Sequence, residues 1–157
     1  MPVHPADDRQ VRGFPGGGRL DPRQGRLHRR RGRRAQAPLV AVADIAAAAA
    51  GLLLDRSWSG AGSVPVLGPR DLSPNDLARI MTEQLGRPVR YERRPLGELR
   101  AALVGHGLDE AFVQGIVDMK HAKNEGLDAG VTRTPDTTGA TTFEHWCTQV
   151  LKPAVLF

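Results

Sequence analysis

The stretch GPRDLSPNDLARIMTEQLGRPVRY, residues 68–91, decides the fold, because a turn, a capped amphipathic helix and a strand follow one another in it. Ser73 is an N-cap residue, Pro74 fits the first helical position where a missing N–H costs nothing, and Asp76 sits in the positive first turn. Leu77, Ile80, Met81 and Leu85 share one helical face, Gly86 follows as the C-terminal cap, and Pro88 blocks a further turn. A strand then starts at Val89, with Val89 and Tyr91 on one side and Arg90 and Glu92 on the other.

Working outward, Leu39 to Ala43 is a short apolar run of the kind buried on both faces of a parallel sheet. Asp44 is then expected to cap a helix whose apolar face is Ile45, Ala48, Ala49, Leu52 and Leu53. WSGAG, residues 58–62, reads as a loop, and Ser63 to Leu67 as a second strand with a free edge or irregularity at Pro65. Downstream, Leu96, Leu99 and Leu103 mark a short helix ended by Gly105 and Gly107. A longer helix over about 109–123 carries Phe112, Val113, Ile116, Val117 and Met119, with Lys120 and Lys123 complementing its dipole. Residues 126–139 are turn-rich. Thr141 with Glu144 matches a capping box for a last helix, where Phe143, Trp146, Cys147, Val150 and Leu151 recur at helical spacing and Pro153 is expected to end it. Strands alternating with helices make the chain α/β.

Helix–LGRPVRY after a Gly-Pro turn resembles the C-terminal half of NmrA-like proteins, an atypical branch of the short-chain dehydrogenase/reductases. PLVAVADIAAAAAGLLLD, residues 38–55, is similar to the family's late strand and following helix. GLDEAFVQGIVDMKHAKNEGL and TTFEHWCTQVLKPAV resemble its last helices. Coverage is residues 39–157, carried by order and spacing. The resemblance implies a partial Rossmann-like fold, the substrate-side half with a few strands and about five helices. It also implies NAD(P)H as cofactor, a small-molecule substrate, and either oxidoreductase activity or dinucleotide sensing. On the long helix it points to Phe112, Met119 and Lys123 as flanking the substrate cleft, against the plainer reading that Phe112 and Met119 are core.

Residues 1–38 differ. They hold ten arginines against Asp7, Asp8 and Asp21, a net +7, so the whole chain's +5 comes from them. Without hydrophobic periodicity the segment is expected to be disordered. A basic arm over residues 9–34 could bind nucleic acid non-specifically. An Arg-rich targeting peptide is disfavoured by Asp7–Asp8, and wrong-frame translation of GC-rich coding sequence fits the composition best.

A dinucleotide site needs a glycine-rich turn between a buried strand and a helix. The early cluster GFPGGG, residues 13–18, fails that context and spacing, so no cofactor-binding or catalytic residue is assigned. The five histidines show no metal-ligand spacing. The lone Cys147 suits a reducing cytoplasm and reads as a small buried hydrophobe. The longest apolar run, residues 45–54, is half the roughly 20 residues that span a bilayer, so the expectation is a soluble cytoplasmic protein, prone to self-associate through an exposed sheet edge.

Overall fold

A computed structural model of the 157-residue chain describes residues 19–21, 25–29, 36–127 and 130–156. The central helix forms as its end signals dictate: α2, Pro74–Leu85, opens on a capping box. The Asp76 backbone N–H donates to Ser73 Oγ at 3.2 Å, and the Ser73 N–H donates back to Asp76 Oδ2 at 2.9 Å. It closes on Gly86 at φ +66°, a left-handed position that only glycine occupies without strain. Its apolar face, Leu77, Ile80, Met81 and Leu85, is buried at the centre of the core. Thr82 ties the last turn to the strand beyond: its hydroxyl donates to the Ala78 carbonyl and accepts from the Val89 N–H, both at 2.9 Å. At the intervening bend Arg87 buries Nε and Nη2 without a hydrogen-bond partner, a local polar cost.

The strand that follows, β5 (Arg90–Arg93), finds its partner where none was expected. β1 (Arg19–Asp21) and β2 (Arg26–Arg29) form a three-stranded sheet in the order β1-β2-β5, with β1 antiparallel to β2 and β2 parallel to β5. Residues 1–38 are therefore not disordered throughout. Leu27, opposite Tyr91, is fully buried in the core, and Arg26 Nε lies 3.1 Å from Glu92. The apolar Leu27 in a run of basic residues is too short a signal to read as a strand, and it is fixed by packing on α2 and β5. Gly25 starts the strand at φ +61°, where a Cβ would sit 2.3 Å from the Pro88 carbonyl oxygen. The remaining part of the arm, with the Gly13–Gly18 cluster, lies outside the described residues.

Three further expectations are corrected. The run at residues 39–43 is not a strand: β3 is Ala37–Pro38, antiparallel to β4 (Asp71–Leu72), and α1 already begins at Val42. Asp44 does not cap α1, because Ala41 holds the N-cap position and Asp44 lies inside the first turn. Residues 63–67 make only a single parallel bridge, Leu67 with Thr138, in keeping with Pro65 and with surroundings that leave 57–65 exposed.

Helices α3 (Leu96–Gly105) and α4 (Glu110–Asn124) pack on each other as a hairpin. Asp109 caps α4, its Oδ1 accepting from the Ala111 and Phe112 N–H groups at 2.9 and 3.1 Å. The last helix runs as α5 (Phe143–Trp146), a π-helical stretch over Cys147–Leu151, and α6 (Lys152–Leu156). Pro153 does not end it. Proline lacks an N–H and crowds the carbonyl four residues back, and the widened π turn, in which the Lys152 N–H donates to the Cys147 carbonyl, lets the chain continue. Helix α5 is capped by Thr142, whose hydroxyl accepts from the His145 N–H at 3.1 Å, and not by Thr141. With that helix counted once, the chain is α/β with five helices and a few short strands. Among the described residues no helix is long and apolar enough to cross a membrane.

Candidate functional site

Three segments far apart in sequence meet beside α2. Gly68 presses so closely on the segment before α1 that a Cβ would fall 1.6 Å from the Leu39 carbonyl oxygen. Its own carbonyl accepts from Arg133 Nε at 2.8 Å, and Arg133 also pairs with Asp71. Asp44, freed from capping, fastens the C-terminal segment to α1: its carboxylate accepts from the Thr141 N–H at 3.1 Å and from the Thr141 hydroxyl at 2.8 Å. Gly139 makes room for that carboxylate, since a Cβ there would come within 2.4 Å of Asp44 Oδ2.

These contacts outline a crevice of about 300 Å³, open to solvent. Leu39, Val40 and Ala41 form one wall, Pro69, Arg70 and Leu72 the second, and the residues around Phe143 and Trp146 the floor. Phe143 and Trp146 stack with ring centroids 5.6 Å apart and planes 13° from parallel. Arg70 is half exposed at the rim and is ion-paired with Glu144. The crevice therefore offers an aromatic and aliphatic surface with one guanidinium at its edge.

No nucleophile or general base is poised there. The Thr141 hydroxyl is committed to Asp44 and Thr142 to its cap. Cys147 adjoins Trp146 but is buried, and burial, with Glu144 adding to it, pushes the thiol up to about 12. Its place in the core matches the small-hydrophobe reading. Among the described residues no group of three His, Cys, Asp or Glu side chains could hold a metal ion.

The residues Phe112, Met119 and Lys123 lie on α4, remote from this crevice's lining. Phe112 is 62% and Met119 42% exposed, so neither is a core residue; of α4 only Val113 is buried. Sequence reasoning did not find the crevice itself, whose lining comes from segments 30 to 70 residues apart. The adjacent Thr141-Thr142 pair and the Gly68-Pro69 turn were visible only as local features.

A dinucleotide pyrophosphate needs close backbone approach at a glycine-rich turn. The turns joining β3 to α1, β4 to α2 and β5 to α3 contain no glycine. The described residues thus do not fit the group.

No protein-family model matches the chain, and no curated protein does. Solved structures do. The fold is similar to that of Citrobacter sp. triphenylmethane reductase, in one structure with a TM-score of 0.52 over 85% of this chain and 44% of the reductase. In a second, complexed with NADP(H), the TM-score is 0.55 over 86% of this chain and 45% of the reductase. Identity is 20% in both. The likeness is one of fold. This chain spans less than half the length of the reductases it matches.

Proposed function

We propose that the chain is the substrate-side half of an NmrA-like, NAD(P)H-dependent reductase fold, which by itself neither holds dinucleotide nor turns over. One observation carries this reading. The chain aligns with under half of an NADP(H)-binding reductase, while its strand-to-helix turns lack the glycines that a pyrophosphate requires. Hydride transfer depends on the cofactor's reactive carbon being held against the substrate, and these residues supply no such hold. In this reading Phe112, Met119 and Lys123 border the place where a small-molecule substrate is received in the longer fold. The test is fluorescence titration of NADPH and of NADH into the 157-residue chain. The expected result is a linear, non-saturating signal, and a saturable one would overturn the reading.

The charge split favours one other role, non-specific binding of nucleic acid through residues 9–34. Arg26 is already engaged with Glu92 and contributes less than its neighbours in sequence would. Such binding would weaken steeply with salt as counterions are released. Affinity that ignored salt would exclude it.

A further inference from the structure

Helix α1 stands almost alone. Only Asp44, Ala48 and its first turn lie against the rest of the chain, Leu52 is at the margin, and every other residue of Val42–Leu54 is exposed. An isolated helix of 13 residues is marginal in water even when rich in alanine. Leu53 and Leu54 are each 83% exposed, on the side that also presents Ala46, Ala47 and Ala50. Nothing in the chain covers this face.

We propose that it is covered by the same face of a second copy, the two α1 helices packing antiparallel about Ala50. The face is self-complementary in that register. Leu54 of one copy falls opposite Ala46 of the other and Leu53 opposite Ala47, bulk against small side chains, with Ala50 facing itself so that the backbones approach closely. Charge agrees: the same register sets the Asp44 carboxylate of one copy opposite Arg56 of the other, and these are the first acidic and first basic groups at the two ends of the helix. Antiparallel alignment also places each positive helix end beside a negative one. With Val42 and Trp58 on its flanks, the face offers on the order of 700 Å² per chain, close to the roughly 800 Å² that each partner buries in a standard-size interface. Trp58 is held there by its indole N–H, which donates to the Leu52 carbonyl at 2.9 Å. The proposal does not depend on the reductase reading.

Sedimentation velocity of the full chain over a dilution series tests it. The expected species has twice the 17.0 kDa mass of the chain. Leu53→Glu with Leu54→Glu should raise the dissociation constant on the order of 100-fold or more, since four buried leucines are lost per dimer. Ala47→Leu, which adds bulk opposite Leu53 and favours helix, should weaken the dimer while leaving circular dichroism unchanged. A monomer at every concentration overturns the proposal. So does association that both variants leave intact, because it would place the contact elsewhere, as at a strand edge.

Discussion

At the scale of single residues, Ser73 and Asp76 show how a short local pattern becomes a stability term. Ser73→Ala removes a cap from the helix that carries the core and should cost about 1 kcal/mol, measured by urea unfolding. The Ser73 hydroxyl, with its backbone N–H, holds the Asp76 carboxyl below its ordinary value. A carboxylate whose pKa is depressed by folding contributes stability above its unfolded pKa of about 4, and the contribution fades as pH falls through the lower folded value. The Asp76→Asn chain should therefore lose part of the acid dependence of the unfolding midpoint below about pH 4, and an unchanged profile would refute the assignment. Cys147 gives the opposite sign. Its thiol is raised to about 12 by burial, so at neutral pH the native protein should resist alkylation, with labelling appearing together with unfolding in denaturant. Rapid labelling without denaturant would contradict the buried placement.

At the scale of elements, the outcome separates local from distant causes. Helix α2 matches its sequence reading at both ends because Ser73, Pro74, Asp76 and Gly86 act within a turn of where they stand. Helices α3 and α4 likewise lie where the leucine spacing and Asp109 put them. Asp44 was misread because its partner, Thr141, is 97 residues away. Capping preference was the only local clue, and a tertiary hydrogen bond outweighed it. The last helix shows a similar override: Pro153 is a local stop signal, yet the π turn at Cys147–Leu151 keeps Leu151 buried and carries the helix past it. Strand β2 is the largest difference. Leu27→Ala should cost about 2–5 kcal/mol, as for other fully buried leucines, whereas a tail without structure would tolerate it; urea unfolding distinguishes the two.

At the scale of the whole molecule, the sheet and the crevice depend on contacts that cross the division at residue 38. Removing residues 1–38 would take away β2 and β3, leaving β5 and β4 without their hydrogen-bonded neighbours. The shortened chain is expected to melt less cooperatively and to bind a hydrophobic dye, and an undiminished melting transition in calorimetry would show that the arm is dispensable. The similarity to a reductase of more than twice the matched length belongs to this scale too, since it concerns the arrangement of elements more than any side chain. The candidate cleft residues on α4 were legible as a helical face, but burial was not: periodicity says which side chains align, and only packing says whether anything lies against them.

The sequence by itself determined the α/β class, the positions of four helices, the capping box and left-handed glycine around residues 73–86, and the buried character of Cys147. Each follows from interactions within a few turns of chain or from side-chain apolarity. Only the tertiary structure decided that Leu27 joins the core, that Asp44 holds Thr141 instead of capping its helix, that Gly68 must admit the Leu39 carbonyl, and that the apolar face of α1 is left bare. These rest on groups dozens of residues apart, brought together by the packing around α2, and no local preference encodes them.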